Sequence, residues 1–161
     1  MKKIILFGAC LFSTTLLAAS YSPSSLEHFR KTGQCYNPTC DLTDTHITVY
    51  GYVQPPFDLE GANISGATFA ISNNTLTDFN RVTAIHTDFA GHDYSQGAFV
   101  NAILINANFS HADLSYTNFA GADVMGADFS YANLYGSQGI NLSTASSLCN
   151  AILPDGSKGA C

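Results

Sequence analysis

From residue 57 to residue 136 the chain repeats every five residues: a small residue, a short polar one, a large apolar one, then two more tolerant positions. The large positions are Leu59, Ile64, Phe69, Asn74, Phe79, Ala84, Phe89, Tyr94, Phe99, Leu104, Phe109, Leu114, Phe119, Val124, Phe129 and Leu134. Two places earlier stand residues such as Ala62, Ala67, Ala102, Ala107, Ala112, Ala127 and Ala132, and the residue between is mostly Asp, Asn or Thr. A period of five suits neither the helical 3.6 nor the strand period of 2, so neither element can run far. It suits a chain that turns a corner every five residues and closes a coil every twenty. Sixteen such pentads make four coils, and fixed short periods of this kind specify solenoids.

Residues twenty apart then stack. One face carries Phe69, Phe89, Phe109 and Phe129, and a second carries Leu59, Phe79, Phe99 and Phe119. Ile64, Ala84, Leu104 and Val124 form a third column, and Asn74, Tyr94, Leu114 and Leu134 a weaker fourth. Backbone groups of each coil would pair with the coils above and below at roughly 4.8 Å. Runs such as Ala112-Asp113-Leu114 and Ala127-Asp128-Phe129 resemble the repeats of the pentapeptide repeat proteins. That resemblance covers residues 57–136 and implies an all-β fold, a right-handed quadrilateral β-helix, with a short N-terminal helical cap.

The flanks read differently. Lys2 and Lys3, the apolar run from Ile4 to Leu17 and Ala18-Ala19-Ser20 have the pattern of a secretory signal over residues 1–20. The run is shorter than the ~20 residues of a membrane span. The expectation is therefore a bacterial protein of the periplasm or exterior, with no stable membrane insertion after cleavage. Residues 21–56 are expected to form a cap and an irregular first coil. Within them, Ser24 to Arg30 suggests a short capped helix, and Gln54-Pro55-Pro56 interrupts the register. Thr32-Gly33-Gln34-Cys35 and Cys40-Asp41-Leu42 are similar to the family's opening segment, with four residues rather than the usual two between the cysteines. Residues 137–161 are expected to cap the other end. Cys149-Asn150-Ala151-Ile152-Leu153-Pro154-Asp155-Gly156 is similar to the family's closing segment.

Cleavage of the signal leaves Cys35, Cys40, Cys149 and Cys161, an even number suited to an oxidising compartment. Three pairings are formally possible. If the solenoid holds, four coils place ~20 Å between the two pairs, beyond the ~7 Å reach of a disulfide. The expected bridges are then Cys35–Cys40 and Cys149–Cys161, and a single zinc centre is disfavoured.

No catalytic constellation, cofactor motif or metal set is evident. His28, His46, His86, His92 and His111 fall in different columns, and His92 alone takes a small inward position. Acidic residues do stack: Asp58 with Asp78, Asp93 with Asp113, and Asp88 and Asp128 around Asn108. Such columns offer too few oxygens for Ca²⁺ and read as solvated faces. The chain is expected to be no enzyme.

Charge brings one comparison. Full length, the net charge is −6; without Lys2 and Lys3, twelve acids face Arg30, Lys31, Arg81 and Lys158, a net of −8. Some cytoplasmic members of the resembled family imitate DNA toward DNA gyrase, so a DNA-mimic regulator of a type II topoisomerase is the competing expectation. The coils, however, carry about 0.35 charges per Å against roughly 0.6 for duplex DNA, and the signal points out of the cytoplasm. Direct nucleic-acid binding is not expected. The favoured expectation is a non-catalytic exported scaffold or protein-binding module. Its contact would be an apolar strip of Ile85, Ile103, Ile105 and Met125, with a protein partner that includes a second copy of the chain. The competing use of that strip is cover by the chain's own tail, Gln138 to Ser147. Tyr116, Tyr131 and Tyr135 form a further aromatic cluster near another corner.

Overall fold

The computed structural model describes residues 40–50, 59–72 and 78–161. The signal expected over residues 1–20, the helix expected from Ser24 to Arg30, Cys35, His28, Asp58, Asn74 and the prolines at 55 and 56 lie outside these residues. The chain winds as a four-sided coil. Parallel bridges join Thr83 to Ile103 and on to Asp123, Asp88 to Asn108 and on to Asp128, and Asp93 to Asp113 and on to Asn133. Ala98, Asn118 and Gln138 complete the fourth ladder. Every step is twenty residues, so each pentad is one side of a right-handed quadrilateral β-helix.

The sequence dictates this locally. Most large residues close a turn, the carbonyl accepting from the N–H three residues on, as in Ala102 to Phe99 (3.1 Å) and Ala112 to Phe109 (3.1 Å). The third residue of the turn has positive φ in pentad after pentad, at Gly61, Gly66, Arg81, His86, Asn101, Asn106, His111, Tyr116, Gly121 and Tyr131 among others. That is the type II arrangement, which favours Gly and Asn and tolerates other residues at a cost. The polar residue before each centre has a matching role. Asp88, Asp93, Asn108, Asp113, Asn118, Asp123, Asp128 and Asn133 each accept, through Oδ1, the backbone N–H two residues on, at 2.8–3.2 Å. These are Asx turns. The acidic columns are a by-product of turn building, and Asn63, Asn108 and Asn141 hold the same bond.

The core is the inside of the coil. Phe89, Phe109 and Phe129 stack nearly parallel at 4.7 and 5.2 Å, and Phe79, Phe99 and Phe119 do so at 4.6 and 5.2 Å. The two columns come from opposite sides and meet edge to face, as Phe89 and Phe99 do at 5.8 Å and 89°. The third column, Ile64, Ala84, Leu104 and Val124, is fully buried, as are Leu59, Leu114 and Leu134.

Stacking passes both boundaries of residues 57–136. At one end β1 (His46–Tyr50) pairs in parallel with β2 (Thr68–Ser72), His46 opposite Thr68. That offset is twenty-two residues, two more than a regular coil, and Leu42 still falls beneath Ile64. At the other end Ser147 bridges to Asp128 and Ile152 to Asn133, an offset of nineteen. A short 3-10 turn, Leu142–Thr144, takes up the difference. The tail 138–147 therefore continues the solenoid end-on. It does not fold back over the apolar strip.

Candidate interaction surfaces

The strip lies on the corner after the third column and on the side leading to it. Ile85, Ile105 and Met125 succeed one another one coil apart, above Ser65. Ile85 and Ile105 are half-buried, whereas Met125 is 52% exposed and Ile103 is 40% exposed. Above them the Thr144 carbonyl accepts from Gly126 N–H at 2.8 Å, so the next coil extends the corner without covering it. Val100 on the preceding corner is half-buried.

Ile103 breaks the local rule. Its ladder neighbour Asp123 accepts Met125 N–H at 3.1 Å, and one coil below the Ser65 hydroxyl accepts Ile85 N–H at 3.2 Å. Among the described residues the Ile105 N–H has no such acceptor, because an isoleucine occupies the Asx position. An apolar side chain has been placed on the surface where the fold prefers a hydrogen-bonding one. The sequence places Ile103 beside the strip; the lost turn bond emerges only once the Asx geometry is known.

The tyrosines occupy two other corners, on either side of the face that carries Asp93, Asp113 and Asn133. Tyr131 stacks flat on His111 at 4.8 Å and 2°, and Tyr116 meets Tyr135 edge-on at 5.7 Å. All three tyrosines are exposed, at 54, 60 and 47% for Tyr131, Tyr116 and Tyr135.

The remaining sequence candidates separate. Cys149 and Cys161 form a disulfide with Cα atoms 4.1 Å apart, and Asn150 Nδ2 donates to both sulfurs at 3.3 Å. Cys40 is also disulfide-bonded, and its expected partner Cys35 is outside the described residues. His92 is half-buried and its carbonyl joins the ladder by accepting from Asp113 N–H at 3.0 Å. No group of three His, Cys, Asp or Glu side chains that could hold a metal occurs among the described residues. Arg81 forms an exposed ion pair with Glu60, and such pairs contribute little. No helix among the described residues is long and apolar enough to cross a membrane.

Tyr94 was not singled out by its pattern beyond its place in the weakest column. Its ring is buried and its hydroxyl donates to the Phe69 carbonyl at 2.8 Å, twenty-five residues back. Burial, with a smaller contribution from the Asp88 charge, holds its phenol well above the usual tyrosine range.

Residues 102–138 match the model described as pentapeptide repeats, in eight copies. No curated protein matches the chain. Among solved structures, it is similar to a pentapeptide repeat protein, Rfr23, of the cyanobacterium Cyanothece 51142: 24% identity over 76% of this chain and 88% of that one, TM-score 0.33. It is also similar to HetL of Nostoc sp. strain PCC 7120, a pentapeptide repeat protein involved in heterocyst differentiation regulation. There the identity is 23%, over 78% of this chain and 63% of that one, TM-score 0.35. QnrB1, a plasmid-mediated fluoroquinolone resistance protein, matches at 16% identity over 74% of this chain and 81% of that one, TM-score 0.22. Residues 102–138 are thus pentapeptide repeats, and the same twenty-residue stacking runs through the described residues from 78 to 138.

Proposed function

We propose that this is an exported, non-catalytic scaffold whose β-helix presents the Ile85, Ile103, Ile105 and Met125 strip to a protein partner, in the first instance a second copy of itself. The observation that carries the reading is Ile103. It gives up a turn hydrogen bond to place an apolar side chain in water beside exposed Met125, and contiguous exposed apolar surface of this kind marks contact sites. A rigid ladder of backbone bonds keeps the strip straight, so association would be rigid docking without rearrangement. Export is part of the proposal. It rests on the signal-like first twenty residues and on four cysteines beyond them.

The test uses substitutions that the columns already contain. Ile103→Asp places an aspartate where Asp123 stands one coil above, and Met125→Ser places the serine found at Ser65. Sedimentation of the mature wild-type chain is expected to show a concentration-dependent dimer, which either variant abolishes. Ile103→Asp should at the same time raise monomer stability by about 0.5–1.5 kcal/mol, since it supplies an acceptor to Ile105 N–H. Gain of stability with loss of association is the signature of a contact residue. A wild-type monomer at millimolar concentration would overturn self-association, and a less stable variant would return Ile103 to a packing role.

A further inference from the structure

The face between the two tyrosine corners is flanked on both sides by exposed aromatic rings. Its floor is the outward pair Asp113 and Asn133, one coil apart, joined by Asn133 Nδ2 donating to Asp113 Oδ1 at 3.2 Å. Its sides are the stacked pair His111 and Tyr131 on one corner and the perpendicular pair Tyr116 and Tyr135 on the other. Three residues of extended chain separate the corners, about 10 Å at ~3.3 Å per residue. Above the floor stands Ile152, 44% exposed and bridged to Asn133.

The rings are held in place by backbone. Tyr116 covers Gly136, where an added Cβ would lie 2.7 Å from the ring, and Tyr135 lies against Gly156. Tyr116 and Tyr131 occupy the positive-φ turn position, with φ of 58° and 60°. Gly, Asn and His fill that position at neighbouring corners, and a bulky aromatic there is disfavoured. The three phenol hydroxyls make no hydrogen bond among the described residues. Aromatic side chains fixed at the surface with wet, unpartnered hydroxyls supply contact area at low entropic cost.

The floor decides the ligand class. Asp113 Oδ1 is occupied by Ser115 N–H and Asn133, which leaves Oδ2 as an acceptor. Asn133 keeps one amide N–H as a donor, while its Oδ1 is held by Tyr135 N–H at 3.2 Å. Adjacent donor and acceptor between aromatic walls complement the vicinal hydroxyls and flat C–H faces of a sugar ring. A guanidinium or ammonium group could use the carboxylate but would meet the amide donor head-on. We propose that this face binds a neutral saccharide, its ring against Tyr131 and Tyr116 and its hydroxyls on Asp113 Oδ2 and Asn133 Nδ2. The site is distinct from the apolar strip and stands independently of the scaffold reading.

The experiment is an NMR titration of the full chain with cellohexaose, chitohexaose and maltohexaose separately, and with a tetra-arginine peptide as the cationic alternative. At least one hexasaccharide is expected to shift the Asn133 side-chain amide and the His111 ring in a saturable way. The double variant Tyr116→Asn with Tyr131→Asn should weaken that binding tenfold or more. Asparagine already fills this turn position at Asn101 and Asn106, so the variant keeps the fold, and an unchanged melting temperature verifies it. No saturable shift with any of the three sugars, or binding unaffected by the double variant, overturns the proposal. So does binding of the peptide alone.

Discussion

At the residue scale the buried tyrosine is the informative exception. Leucine suffices in the same column at 114 and 134, yet position 94 carries a phenol whose hydroxyl reaches the Phe69 carbonyl. Tyr94→Phe leaves that buried carbonyl without its partner and is expected to cost about 1–3 kcal/mol. The pH dependence has a definite sign. The folded-state pKa lies above the unfolded value because burial opposes the phenolate. Tyr94 therefore leaves stability intact below about pH 10 and erodes it as pH rises beyond that. Chemical denaturation at neutral and at alkaline pH should show the wild-type decline flattened in Tyr94→Phe. An equal decline in both proteins, with no difference at neutral pH, would assign the hydroxyl no energetic role. The sequence shows a tyrosine in a core register but not this bond, since its partner is twenty-five residues away and outside the twenty-residue stack.

At the scale of the element, the unit is a pentad rather than a strand, and most of it is legible. The centres named from spacing, Asn74 outside the described residues apart, are the residues that fill the core, because a narrow coil has room for one large side chain per side. The Asp and Asn positions were legible as a pattern but not as a role: without turn geometry they read as charged columns, when they are acceptors for the backbone N–H two residues on. For the same reason the significance of Ile103 was hidden. Packing at this scale is testable at Phe109, which stacks on Phe89 and Phe129 and meets Phe99 edge-on. Phe109→Ala should cost about 3–5 kcal/mol, because the ladders above and below prevent collapse into the gap. A loss below 1 kcal/mol, about that of one methylene group, would be incompatible with this core.

At the scale of the whole molecule, a solenoid is stable only coil by coil, and its ends are its weak points. The register shifts sit there. Two extra residues enter the first coil and one is missing from the last, so the period that organises the middle could not reveal where the coils stop. The last coil is sealed by a reversal: Ile152 pairs antiparallel with Lys158, and Leu153 N–H bonds to the Ser157 carbonyl at 2.8 Å. Gly159 N–H returns to the Ala151 carbonyl at 2.8 Å. Gly159 passes so close to Leu148 that a Cβ would lie 2.0 Å from its carbonyl oxygen. The Cys149–Cys161 bridge, with a sequence separation of 12, ties this reversal to the last coil. A closed loop of that size is worth about 3 kcal/mol in chain entropy. Replacing both cysteines by serine should therefore loosen the end and leave the middle intact. Hydrogen exchange is the measurement that distinguishes these regions. The amides of Leu134 and Gly136, bonded to the carbonyls of Ile152 and Pro154 at 2.8 and 2.9 Å, should lose protection first. Those of Leu104 and Phe109, bonded to Asp123 and Asp128, should keep theirs, because nearest-neighbour coupling decays along the stack. Equal loss at all four amides would mean that the coils unfold as one block and that the bridge stabilises the whole rod rather than its end.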